Sequence, residues 1–144
     1  MKTNDCRYSE CLYFSSAAFA RQIEKLAQES WKPVDLSPSH AYMLMMIIED
    51  AGIQPGILAE NLMLTPSTIT RLIEKLESKK LVVRTSEGKV TNVYPTPKAK
   101  ELFPLLKQCS QKFNEAYSAI LGREESSRLV QTMNKLTDKF TVLE

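Results

Sequence analysis

Apolar residues recur along this chain at steps of three and four over most of its length, interrupted once by two short β-rich runs. Tyr8, Leu12, Ser15, Phe19, Ile23 and Leu26 share one face, which predicts a long amphipathic helix over 5–30, ended by Pro33. Ser37 and Pro38 read as an N-cap with proline at the first helical position. The helix they open carries the run AYMLMMII from Ala41 to Ile48, apolar nearly all round, and belongs in the core; Glu49, Asp50 and Gly52 close it. Pro55 opens a short helix with Leu58, Ala59 and Leu62 facing inward, and Met63 and Leu64 form a tight connection. Thr65 then caps a helix that begins at Pro66. Its Ile69, Leu72, Ile73 and Leu76 fall at i, i+3, i+4 and i+7, leaving Ser67, Thr68, Thr70, Arg71, Glu74 and Lys75 on the opposite face.

The two β-rich runs are Leu81–Thr85 and Val90–Tyr94. Ser86 to Lys89 lie between them, and Gly88 can take the positive φ a reversal needs, so the segment predicts a β-hairpin. Thr96 and Pro97 cap a helix over about 97–121, in which Pro104 falls early enough to kink it. Its apolar positions Ala99, Leu102, Leu106, Cys109, Phe113, Ala116 and Ile120 alternate steps of three and four. After Gly122, Leu129, Met133, Leu136, Phe140 and Leu143 continue that spacing, which suits a coiled-coil-like seam. The whole predicts a mainly α chain with a small β-hairpin. Residues 36–96 form a winged helix-turn-helix lobe, and helices over 5–30 and 97–143 flank it within one domain of 144 residues.

Composition narrows the class only modestly. At 43% hydrophobic and 25% charged, the chain is ordinary for a globular domain. Its longest apolar run is far short of the roughly 18 residues that span a bilayer, and its first residues, MKTNDCRYSE, lack the apolar core of a signal peptide, so a cytoplasmic protein with no membrane partner is expected. Cys6, Cys11 and Cys109 match no zinc or redox spacing. The single histidine, His40, cannot build a His-rich metal site, and there is no phosphate loop and no nucleophile–base pair. Neither enzyme activity, a metal nor a cofactor is expected.

Charge distribution changes the picture more. The net charge is +2, yet residues 65–100 hold Arg71, Lys75, Lys79, Lys80, Arg84, Lys89, Lys98 and Lys100 against only Glu74, Glu77 and Glu87. A basic segment in a near-neutral chain is the footprint of a phosphate backbone, although a solvated lysine-rich surface has the same composition. The B-DNA major groove, about 12 Å wide, admits one helix. On the helix opened by Pro66, Ser67, Thr68 and Thr70 can bond phosphates or base edges near its N-terminus. Arg71 can grip a guanine through two hydrogen bonds, and Lys75, one turn on, suits phosphate. Arg84 adds charge on the first strand, and Lys89 at the hairpin tip can reach the adjacent minor groove or its backbone. Double-stranded DNA is therefore the expected partner.

The stretch LAENLMLTPSTITRLIEKLESKKLVVR, followed by EGKVTNVYPTPKAKEL, resembles the core of the MarR family of winged helix-turn-helix transcriptional regulators. It matches that family's Leu-Ala helix, Ser/Thr-rich recognition helix, Leu-Val-x-Arg strand and Thr-Pro-Lys helix opening. The resemblance implies a homodimer built on the terminal helices, binding a pseudo-palindromic operator. The family's wing carries Asp-x-Arg where this chain has Glu87, Gly88 and Lys89; lysine keeps the charge but lacks the planar fork. Where the family's recognition helix usually ends in glycine, this chain has Lys80, so a different turn is expected there.

The resemblance also implies a repressor released by a small aromatic or anionic effector, held between the dimer helices and the winged lobe. Tyr8, Cys11, Tyr13, His40, Tyr42 and Met43 are the candidate lining residues, although aromatic and methionine side chains at such spacing are also ordinary core. Cys11 lies near the reactive cysteine of the family's peroxide-sensing branch, with the surrounding pattern offset, which leaves a redox-sensing regulator as an alternative. A winged-helix module used for protein interaction is another.

Overall fold

The computed structural model describes residues 2–141, so Leu143 lies outside the described residues. After a short 3-10 turn at Thr3–Asp5 the chain runs α1 (Leu12–Ser30), a second 3-10 turn (Lys32–Val34), α2 (Pro38–Glu49), α3 (Pro55–Leu62) and α4 (Pro66–Ser78). Strands β1 (Val82–Glu87) and β2 (Val90–Pro95) follow, then α5 (Pro97–Leu121) and α6 (Arg123–Thr141). This is the mainly α chain with a two-stranded wing that the periodicity predicts. No described helix is both long and apolar enough to cross a membrane.

Helix starts follow the predicted chemistry. Ser37 Oγ accepts from the His40 amide at the start of α2, Thr65 Oγ1 accepts from the Thr68 amide at α4, and Thr96 Oγ1 accepts from the Ala99 amide at α5. Pro38, Pro55, Pro66 and Pro97 each stand at a first helical position, where a missing N–H costs nothing. Pro104 sits inside α5, and the helix runs through it.

Three expectations change. α1 begins at Leu12, not near residue 5. Turns occupy residues 7–10, the Cys11 amide donates to Tyr8 O, and Ser15 Oγ donates to Ser9 O, so a local side-chain bond displaces the first helical turns. The hairpin is tighter than read from the sequence. Glu87 pairs with Val90, leaving only Gly88 and Lys89 in the turn, and Gly88 has φ 65°, as a glycine-first two-residue turn requires. Lys80 keeps the left-handed geometry despite its side chain, with φ 61°. The Leu81 amide donates to Leu76 O and the Lys80 amide to Glu77 O, which together make a Schellman closure of α4 with lysine in the glycine position.

The chain divides into two compact units. Residues 27–110 hold the core: Trp31, Met43, Leu44, Ile47, Leu58, Ile69, Ile73, Leu76, Val82, Val93, Leu106 and Cys109 are all essentially inaccessible. An isolated bridge between Ile53 and Val93 adds a third short element to the hairpin's edge. The other unit, residues 1–26 and 111–144, is a set of helical segments in which Ser126 alone of the described residues is buried.

Candidate nucleic-acid interface

α4 is held by its apolar stripe: Ile69, Ile73 and Leu76 are buried and Leu72 half-buried. The opposite face stands in solvent, with Ser67, Thr70, Arg71, Glu74, Lys75 and Ser78 exposed. The hydroxyls at its N-terminal end are not equivalent. Thr65 Oγ1 donates to Thr68 Oγ1 at 3.0 Å and lies 3.3 Å from Ser67 Oγ, so half-buried Thr68 belongs to the cap. Thr70 Oγ1 donates to Pro66 O at 3.0 Å and keeps only its lone pairs for another partner. Arg71 and Lys75 make none of the ion pairs found among the described residues.

The C-terminal end of α4 is tied to its surroundings. Lys79 Nζ donates to Asp35 O at 2.6 Å and lies 3.4 Å from Asp35 Oδ2. Lys98 Nζ donates to Lys79 O at 3.1 Å, and Thr96 Oγ1 donates to Lys80 O at 2.8 Å. These cations sit where the helix dipole favours positive charge. Arg84, on β1, is not a free surface cation: its guanidinium lies 2.7 Å from Glu77 Oε1 on α4. Lys89, in the hairpin turn, is exposed.

His40 stands at the basic end of α4. Its Nδ1 lies 2.5 Å from Ser37 Oγ. Burial lowers its pKa from the usual histidine value, and the positive charges of Lys79 and Lys75 lower it further. No sequence signal could find this grouping, because His40 and Lys79 are far apart along the chain.

The other residues expected to line an effector site are dispersed in character. Met43 is wholly buried in the lobe's core. Tyr42 is partly exposed and tilts onto Trp31 with ring centroids 4.9 Å apart. In the other unit, Tyr8 stacks on Phe14 at 4.9 Å, Tyr13 meets Phe14 edge-on at 5.1 Å, and Cys11 is half-buried. No group of three or more His, Cys, Asp or Glu among the described residues is placed to hold a metal ion.

Comparison with known proteins bears on the fold that carries this surface. Residues 34–90, the winged segment, match the model of the MarR family. The chain is 25% identical over 120 residues to YybA of Bacillus subtilis (strain 168), an uncharacterized HTH-type transcriptional regulator, covering 81% of this chain and 80% of that protein. It is 28% identical over 135 residues to the HTH-type transcriptional regulator SarZ of Staphylococcus epidermidis, covering 91% and 89%. Among solved structures, the transcriptional repressor CouR bound to a 23-mer DNA duplex superposes with a TM-score of 0.80 at 18% identity, covering 95% of this chain and 98% of that one. CouR bound to p-coumaroyl-CoA gives 0.79 at 18%, covering 90% and 93%. At such identity these structures speak for the fold.

Proposed function

We propose that this chain, whose winged segment is of the MarR family, is a sequence-specific double-stranded DNA-binding transcriptional regulator. It acts as a homodimer on a pseudo-palindromic operator and is a repressor released by a small aromatic or anionic effector. The observation that carries the reading is the exposed face of α4, where Ser67, Thr70 and Arg71 face solvent opposite buried Ile69, Ile73 and Leu76. Arg71 reads a base, Lys75 meets phosphate, and Lys89 reaches the neighbouring groove or backbone from the hairpin turn. Thr68 contributes by ordering the N-terminal amides of α4, which attract phosphate.

Homodimerisation is supported by the stripe on α6. Val130, Met133, Leu136 and Phe140 are 43%, 42%, 49% and 67% exposed in the single chain, a run of apolar surface that a monomer rarely leaves in water. Release by an effector is supported more indirectly, by the CouR structure bound to p-coumaroyl-CoA. A protein-interaction role for the lobe is less well supported, because the outward face of α4 is polar and charged.

The test is selection from a randomised duplex pool, followed by binding titrations at several salt concentrations. Arg71→Ala should lose about 1–3 kcal/mol on the selected duplex and relax preference at one base position. Lys89→Ala should weaken all duplexes alike and reduce the salt slope by about one. Failure of the wild-type protein to enrich any sequence overturns the reading.

A further inference from the structure

Beyond Val82 and Val93 no residue of the distal hairpin is buried, and only Thr91 and Asn92 are half-buried. Every β1 residue from Val83 to Glu87 is exposed, and so are Gly88, Lys89 and Val90. The turn and both distal strand segments are therefore held to each other by the ladder, with no side-chain hydrogen bond or ion pair from residues 85–92 to the rest of the lobe among the described residues. Among the described residues, the one side-chain hydrogen bond or ion pair between the hairpin's exposed part and α4 is the Arg84–Glu77 pair at 2.7 Å, with the two side chains 36% and 30% exposed. Glu77 lies in the last turn of α4, close to the closure at Lys80, and Arg84 lies directly across the ladder from buried Val93.

We propose that Arg84 is a positioning residue and not a DNA ligand: through Glu77 it sets the angle between the wing and the recognition helix. The proposal rests on the DNA-binding reading and adds a division of labour within it. Arg84 has given its charge to Glu77, and a phosphate would have to displace a carboxylate already at hydrogen-bond distance. Lys89, at the turn, carries the wing's contact with the duplex, while Arg84 decides where that contact falls. Since a displaced wing tip misses its groove but still meets phosphates elsewhere, the pair governs selectivity more than general affinity.

The test uses Glu77→Gln, Arg84→Gln, the double variant and Arg84→Lys in the full-length protein. Each is titrated against a duplex selected by the wild type and an unselected duplex of equal length, with the salt slope measured for both. The expected result is a loss of about 3- to 10-fold on the selected duplex, the same for both single variants and the double, with little change on the unselected one. The salt slope stays at the wild-type value, and Arg84→Lys, which keeps a cation in reach of Glu77, recovers part of the loss. Without DNA, amide exchange in residues 85–92 should quicken equally in Glu77→Gln and Arg84→Gln. If Arg84→Gln instead lowers the slope by about one while Glu77→Gln tightens binding, Arg84 is a phosphate ligand and the proposal fails. Should the wild type select no duplex, the DNA-binding reading falls by itself. The exchange measurement still decides the tether, and unchanged exchange in both variants overturns it.

Discussion

The winged lobe and the terminal-helix unit are built from the same kind of amphipathic pattern but use it differently. In the lobe, stripes on α2, α3 and α4 and the base of the hairpin are buried together, and large side chains such as Trp31, Leu44, Leu58 and Ile73 are essentially inaccessible. In the unit formed by residues 1–26 and 111–144, the seam of α6 is open, and Leu12 and Ile120 are more than two-thirds exposed. An apolar cavity of about 210 Å³ there is walled by Phe19, Ile23, Phe113, Leu129 and Met133, among others. The lobe is a closed core, whereas the terminal unit leaves apolar surface exposed. A periodic stripe by itself does not say which of these it will become.

The largest test of that contrast is in the lobe. Leu44→Ala should cost about 2–5 kcal/mol in chemical denaturation, because the void left in a fully buried site collapses only in part. Leu136→Ala, at a half-exposed position, should cost the isolated chain far less; an equal loss would break the comparison. The second test is association. Leu136→Asp should weaken self-association about tenfold or more in sedimentation, and it should remove any rise of the melting temperature with protein concentration. A wild-type protein that sediments as a monomer at all concentrations would sink the dimer reading.

Smaller effects separate the joints of the two units. Gly122 takes φ 90° between α5 and α6, but the lobe places Asp35, Met63 and Lys80 at φ 54°, 55° and 61°. At each, a backbone hydrogen bond of the turn holds the left-handed conformation: the amides of Asp35, Met63 and Lys80 donate to Lys32 O, Glu60 O and Glu77 O. Lys80→Gly should therefore raise the lobe's stability by about 0.5–1 kcal/mol, read as a shifted denaturation midpoint, while Gly122→Ala should lower stability.

The smallest effect is the pH response of His40. Its folded pKa lies below the unfolded value of 6.5, so the unfolded chain takes up the proton first. The contribution of this group is fully present above about pH 6.5 and is lost as pH falls toward the folded pKa. His40 is the chain's one histidine, so a single imidazole resonance reports it. Lys79→Met should move that titration upward, and an unmoved titration would remove Lys79 as a cause.

Much of the site was legible before the fold. The Ser37-Pro38, Thr65-Pro66 and Thr96-Pro97 pairs each start a helix where expected, because an N-cap bond spans only three residues. The polar face of α4 was equally readable from a single stripe of four apolar residues. The assignment of roles within that face was not. Thr68 joined the cap there, and on β1 Arg84 met Glu77 of that helix, each because of a neighbour that periodicity does not weigh.

The order of elements, their caps and the sign of charge on the lobe were written in the linear chain, since they depend on contacts a few residues apart. Tertiary structure decided which stripes closed into a core and which cations found a partner. Those outcomes depend on groups distant in sequence, such as Asp35 and Lys79, whose meeting is fixed only when the helices pack.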